Sequence, residues 1–347
     1  MSPRVIYRGL LTLIFSMTFS PSTSEMTVTF PEMGCGTWAW GNKLLWGYNA
    51  SMDEELGQVF NDCVQAGVTL FDTGDSYGTG RLQGQSEKLL GQFAQGYQGN
   101  NQEKICLATK LAPYPWRLTP QSMVKAGVAS VDRLQRPIDL VQLHWSTANY
   151  APWQEKPLLQ GLGQLCQQGY AQALGLSNFG PKRLQKAYEF CQEQGIKIVS
   201  LQVQYSLLST YPVATLGLKD LCDGLGIKLI AYSPLTLGLL TGKYTTQTPF
   251  PKGIRRLLFR QLLPAIQPLL GTLKAIADSR SKTMAQVALN WCICQGTLPI
   301  PGAKTRQQVG DNLGALGWRL DSGEMMELNN QAAKLPKTMV QNIFQSR

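Results

Sequence analysis

The chain has 347 residues, 44% hydrophobic and 16% charged, which is enough apolar material for one large core and too little charge for a disordered chain. Its net charge is +10, but lysine and arginine are dispersed, which argues against a nucleic-acid surface and for a mild field that steers an anionic ligand. One histidine and eight scattered cysteines exclude the usual metal-binding clusters: Cys292 and Cys294 have no histidine partners, and unpaired thiols suit a reducing compartment.

At the N-terminus, Arg4 and Arg8 precede an apolar stretch at 10–19, followed by Ser20–Pro21–Ser22–Thr23–Ser24. This pattern fits a signal peptide, while the lack of any acid before Glu25 equally fits a transit peptide. A true start at Met26 is the third reading. The stretch is too short to span a bilayer, so no membrane insertion is expected. Residues 1–25 are therefore set apart from a single domain over 26–347.

Beyond this segment the chain alternates. Strands are expected at 33–37, 69–72, 105–110, 140–144, 173–177, 198–202, 229–232 and 298–300, where short apolar runs end in turn residues. Helices are expected at 53–66, 86–94, 120–132, 155–168, 181–194, 213–225 and 284–294. The run Asn178–Phe179–Gly180–Pro181 reads as a helix start, with proline near the first helical position. Strand–helix alternation repeated this often predicts an α/β fold, a single (β/α)8 TIM barrel. One long loop interrupts it after the seventh strand, at 245–261, with Pro249, Pro251, Arg255, Arg256 and Arg260. A connection of that length at a barrel mouth is a lid or, more plainly, a solvated basic loop.

Three of the strands end on chemistry. The second finishes at Asp72, with Tyr77 on the loop five residues later; the third ends on Lys110, and the fourth on His144, the only histidine. In a parallel barrel these ends converge at the carboxyl-end mouth, where such barrels carry their active sites. A free tyrosine loses its proton near pH 10. An ammonium beside it is expected to draw the phenol toward working pH, and a carboxylate to keep that ammonium charged and oriented. Histidine could hold a carbonyl oxygen. A lone strand-end Asp or Lys is ordinarily a loop residue, but four such groups at consecutive ends are not accounted for in that way.

On these residues the sequence resembles the aldo-keto reductase superfamily, whose Asp–Tyr–Lys–His tetrad matches Asp72, Tyr77, Lys110 and His144. The resemblance runs from about Met33 to about Leu316. It is carried further by Gly175–Leu176–Ser177–Asn178–Phe179, Leu201–Gln202–Val203–Gln204–Tyr205–Ser206, Ala231–Tyr232–Ser233–Pro234–Leu235, Gly238–Leu239–Leu240–Thr241–Gly242–Lys243–Tyr244 and Ile300–Pro301–Gly302–Ala303–Lys304. The long middle blocks are similar to the bacterial, plant and potassium-channel-β branch.

The resemblance implies NADPH-dependent reduction of an aldehyde or ketone, with pro-R hydride transfer and Tyr77 as general acid. It implies a dinucleotide bound without a Rossmann domain, and Gly34–Cys35–Gly36 and Gly78–Thr79–Gly80 indeed lack the spacing of that motif. Carried over by position, Ser177, Asn178 and Gln202 would grip the nicotinamide amide and Tyr232 would stack under its ring. Ser233, Leu235, Gly238 and Lys243 match pyrophosphate contacts; Gly302, Lys304, Gln308, Asp311 and Asn312 match the adenosine end. Lys304 favours NADPH over NADH, although Gln308 stands where the other branch has arginine and Asp311 where many relatives have glutamate. The long loop would fold over the cofactor.

Among Trp38, Trp40, Trp46, Tyr114, Trp116 and Trp145, the expected substrate residues are Trp38 and Trp145, lining an aromatic pocket for a small-molecule carbonyl compound. The rival reading is a dinucleotide-sensing regulatory subunit with slow turnover, and a dead scaffold is disfavoured by the intact tetrad. Cytoplasm is the expected location, with plastid stroma or export as alternatives if residues 1–24 act in targeting. No signal in the sequence specifies oligomeric state.

Overall fold

Eight short apolar runs pair side by side, in chain order, into one parallel sheet. They are β1 (Cys35–Gly36), β2 (Leu70–Asp72), β3 (Cys106–Leu111), β4 (Ile138–Leu143), β5 (Ala171–Ser177), β6 (Ile198–Gln204), β7 (Lys228–Tyr232) and β8 (Leu298–Ile300). Both faces of such a sheet are covered, which is why the strands read as continuous apolar runs. This computed structural model describes residues 28–346 apart from 246, 248, 249, 252, 254 and 341. The N-terminal segment and Pro249 thus lie outside the described residues.

The sheet closes into the expected barrel. Gly36 bridges Gly302 in parallel, and the N–H groups of Gly34 and Gly36 donate to the carbonyls of Pro299 and Pro301 at 3.0 and 3.1 Å. The seam needs glycine, since a Cβ on Gly36 would lie 2.9 Å from the Ile300 carbonyl oxygen.

Helices Asp53–Gln65, Gln85–Gly96, Pro120–Leu134, Pro152–Gln167, Pro181–Glu193 and Met284–Cys294 form the outer layer. Thr119 opens one of them with a capping box and Pro120 in its first turn. The helix expected at 213–225 is instead two pieces, Tyr211–Ala214 and Leu218–Gly224, because Gly217 between them is left-handed at φ 64°. The connection after β7 is long, as expected, but its second half is the helix Arg255–Leu262. Helix Gln267–Ser279 was not anticipated, although its buried Leu269, Leu270, Leu273 and Ile276 keep helical spacing. Helices Arg306–Leu313 and Ser322–Ala333 complete the chain beyond β8. Among the described residues no helix is long and apolar enough to cross a membrane.

Two cores result. A large one fills the space between sheet and helices. A smaller one, with Leu70, Cys106, Ala108, Leu140, Ala173, Ile230, Leu298 and Ile300, fills the barrel itself. Side chains in a strand return to the same face every second residue. Two steps beyond Leu70, Ala108, Leu140 and Ile230 come Asp72, Lys110, Gln142 and Tyr232, so a polar layer caps the apolar plug at the carboxyl end.

Candidate active site

Lys110 is the hub of this polar layer. Its Nζ donates to Asp72 Oδ2 at 2.5 Å and to the Thr73 carbonyl at 2.6 Å, and stands 4.8 Å from the centroid of the Tyr77 ring. Asp72 uses its other oxygen as well: Oδ1 accepts from Gln202 Nε2 at 2.7 Å and Gln142 Nε2 at 3.1 Å. The side chains of Asp72 and Lys110 are 4% and 2% exposed. A pair so dry needs hydrogen-bond partners on both members, and the Thr73 carbonyl and the two glutamines supply them. The His144 ring meets Tyr77 edge-on at 5.8 Å. The structure therefore brings together all four residues of the expected tetrad.

Their proton affinities differ from the sequence expectation in one respect. Burial works against the charge on Lys110, but Asp72 and Tyr77 outweigh it and hold the ammonium above its ordinary range. Burial, joined by the Lys110 charge, pushes His144 well below its ordinary 6.5 and leaves the imidazole neutral. Tyr77 was expected to be drawn down by Lys110. Instead burial pushes the phenol up, against the pull of Lys110. At neutral pH Tyr77 is thus a protonated acid beside a fixed cation.

The residues expected at the nicotinamide end lie next to the tetrad. Asn178 follows β5 with a positive φ of 60°; its Nδ2 donates to Ser177 Oγ and the His144 carbonyl, each at 3.1 Å. Its Oδ1 accepts from Tyr232 OH at 2.9 Å. Gln202 is turned toward Asp72, so its amide N–H is already engaged below this layer.

After β7 the backbone passes through positive φ at Ser233, Thr236, Leu237, Gly238 and Gly242. Three non-glycine residues with positive φ in one such turn are rare without a functional reason, and Ser233 and Gly238 were among those expected near a pyrophosphate. Leu235 opens the 3-10 segment Thr236–Thr241, and Lys243 is exposed just past it.

Among the residues expected at the adenosine end, Gln308 Oε1 accepts from the Lys304 N–H at 2.8 Å. Asp311 is exposed, Asn312 is 7% exposed, and Gly302 belongs to the barrel seam. Burial and the neighbouring charges of Arg255 and Lys243 lower the pKa of Lys304. Among the described residues no group of three His, Cys, Asp or Glu side chains could hold a metal ion, and all eight cysteines are unpaired.

The tryptophans divide. Trp145 lies 4.9 Å from the His144 ring and belongs to the site. Trp38 is 40% exposed and packs edge-on against Trp46 at 6.0 Å, with no ring contact to the tetrad. Trp40 is a core residue whose Nε1 donates to the Ala303 carbonyl. Trp116 is 71% exposed, stacked on Tyr114.

Several site residues escaped the sequence reading. Gln142 lies on β4 two residues before His144, and a lone amide in an apolar strand was its signal. The C-terminal tail gave none. Phe344 stacks on Trp145 at 4.4 Å, and Asn342 Nδ2 donates to Tyr232 OH at 2.8 Å. The Ser346 N–H donates to the Asn178 carbonyl at 3.1 Å, and Ser346 Oγ accepts from the Gly180 N–H at 3.0 Å. The tail thus straps the mouth beside Asn178 and Tyr232.

Comparison with known proteins bears on the family and the fold. A sequence model described as the Aldo/keto reductase family matches residues 32–332. The chain is 54% identical over 318 residues to a pyridoxal reductase of Arabidopsis thaliana named as chloroplastic, covering 91% of this chain and 87% of that one. A solved thermostable aldo-keto reductase in complex with the inhibitor epalrestat matches with a TM-score of 0.69 at 25% identity, over 87% of this chain and 95% of its own. An aldo/keto reductase from Klebsiella pneumoniae, crystallised with NADP and acetate, shares the fold with a TM-score of 0.68 at 23% identity, over 91% of this chain and 95% of its own. The chain belongs to the aldo/keto reductase family.

Proposed function

We propose that the protein reduces an aldehyde or ketone to an alcohol with NADPH. The observation that carries this reading is Lys110, fixed by Asp72 beneath a protonated Tyr77 while a neutral His144 faces the same ring. When bound, the dihydronicotinamide supplies a hydride to the carbonyl carbon. Tyr77 gives its proton to the carbonyl oxygen, and the Lys110 ammonium stabilises the phenolate left behind. A neutral His144 can hydrogen-bond that oxygen without competing as an acid.

The cofactor fits the residues present. Lys304, Lys243 and Arg255 lie close enough to act on one another's charge, and Trp46 Nε1 and Arg255 Nε beside them are buried donors without an acceptor. An anionic phosphate suits such a place, which supports NADPH over NADH. Asn178 and Tyr232 would hold the nicotinamide end.

An aromatic aldehyde is the proposed substrate class, because Trp145 and Phe344 form a stacked wall beside His144. The name of the Arabidopsis thaliana relative makes pyridoxal the first compound to test. We propose a domain over 26–347 working in a reducing compartment, cytoplasm or plastid stroma; imaging the tagged full chain distinguishes the two.

The test is NADPH oxidation by the full chain against pyridoxal and a panel of aromatic and aliphatic aldehydes, beside Tyr77→Phe. Turnover that vanishes in the variant supports the reading. Tight NADPH binding with no turnover on any carbonyl would favour a regulatory subunit instead.

A further inference from the structure

We infer that Asp75 and Arg117, a buried ion pair that takes no part in proton transfer, are positioning residues for Tyr77. The inference rests on the carbonyl-reduction reading above and adds to it the device that keeps the phenol at its station beside Lys110.

Tyr77 needs such a device. Asp72 and Lys110 belong to β2 and β3, where the sheet sets their places. Tyr77 stands five residues past β2, on a turn that is neither strand nor helix. A side chain on a loop is held less closely than one on a strand, and a misplacement of about 1 Å costs on the order of 100-fold in rate.

The pair supplies the missing constraint. The Asp75 N–H donates to the Lys110 carbonyl at 2.9 Å. Asp75 Oδ1 accepts from the Ala112 N–H at 3.2 Å, and Oδ2 accepts from Arg117 Nη1 at 2.5 Å. The same Nη1 donates to the Ala112 carbonyl at 2.6 Å. The residue two places before Tyr77 is therefore bonded to both sides of the end of β3, one residue before and one after Leu111. Arg117 is anchored in its turn. Its carbonyl accepts from Gln154 Nε2 at 2.7 Å, and its guanidinium lies 4.9 Å from the centroid of the Tyr114 ring. From the far side of the turn, the Gly84 N–H donates to the Tyr77 carbonyl at 2.8 Å.

Stability alone does not account for this pair. The side chains of Asp75 and Arg117 are 2% and 15% exposed, and apolar residues of similar volume commonly stabilise such a place as well or better. A carboxylate and a guanidinium that both bond the backbone of Ala112 offer instead a fixed direction, which packing does not.

The test uses the full chain, NADPH and the aldehyde of the panel above that turns over fastest. Asp75→Asn and Arg117→Met are expected to lower kcat about 30-fold, while KM and the calorimetric affinity for NADPH stay within about threefold. Arg117→Lys, which keeps the charge, is expected to recover part of the loss. The deciding step repeats Asp75→Asn and Arg117→Met in the Tyr77→Phe background, where each is expected to cost no more than about twofold, because no phenol is left to position. Normal kcat in both single variants overturns the inference. Equal losses with and without the phenol also overturn it, placing the pair's effect elsewhere in the site. Loss of NADPH binding in both variants overturns it too, by making the pair a structural one. A parent protein that reduces no carbonyl overturns the reductase reading and this inference together.

Discussion

Around β2 and β3, the Lys110 ammonium meets the Asp72 carboxylate at 2.5 Å, and that carboxylate is held by two glutamines in turn. Around Trp46, Lys304 and Arg255 share a ring, and among the described residues neither forms an ion pair with a carboxylate. The first group is complete without a ligand and stands on strands, so its geometry is preset before anything binds. The second stands on connections and is electrostatically incomplete. Catalytic groups gain from being preorganised, whereas a binding group gains by leaving its charge unanswered until the ligand arrives.

Substitutions can break this contrast, and the largest effect is expected at the tetrad. Tyr77→Phe should lower kcat about a thousandfold while NADPH affinity stays within about twofold. An equal loss of cofactor binding would mean that the ring is structural. Next comes Lys110→Met, which leaves the buried Asp72 carboxylate without its counter-charge. Its unfolding free energy in urea should fall by about 3 kcal/mol, and adding Asp72→Asn should recover part of it. Arg255→Gln at the other end strips no partner from a carboxylate, so its stability should stay within about 0.5 kcal/mol of the parent. A larger drop would show that the cation cluster is a structural element.

A smaller effect is expected from the tail. Phe344→Ala should raise KM for an aromatic aldehyde about tenfold, with little change for a short aliphatic one. Equal shifts for both would remove the tail from substrate selection.

The mildest signal is the titration of His144. Burial and Lys110 depress its pKa, so between the folded value and 6.5 the unfolded chain binds a proton that the folded chain does not. Stability from this group should fall as pH drops below about 6.5. Because His144 is the only histidine, a single imidazole NMR signal that does not shift on lowering the pH through 6.5 is the expected observation. Half-protonation near 6.5 would contradict it.

Much of the preset end was legible in the sequence. Asp72, Lys110 and His144 each close a buried apolar run, and polar ends on three successive strands mark one mouth of a barrel. Gln142 and Gln202 carry a weaker version of the same signal, since amides are uncharged, and their grip on Asp72 depends on β2, β4 and β6, which are not neighbours in the sheet, facing one another across the barrel. The direction of the Tyr77 shift was not legible, because the depth of a hydroxyl is a property of the closed barrel. Trp46, Arg255 and the tail were hidden for another reason. Ser346 meets Gly180 across 166 residues and Asn342 meets Tyr232 across 110, in segments with no periodicity to mark them.

The barrel seam sets the order in which the molecule can be made. Gly34 and Gly36 find their carbonyl partners only at Pro299 and Pro301, and Trp40 reaches Ala303 across 263 residues. A chain leaving the ribosome N-terminus first therefore carries β1 to β7 as an open sheet with two raw edges until its last sixth emerges. Long-range closure of this kind is slow, and open edges invite pairing with other chains. A nascent chain that stops before β8 would yield sticky sheet instead of a smaller barrel, so this protein is expected to lean on chaperones until translation is nearly complete.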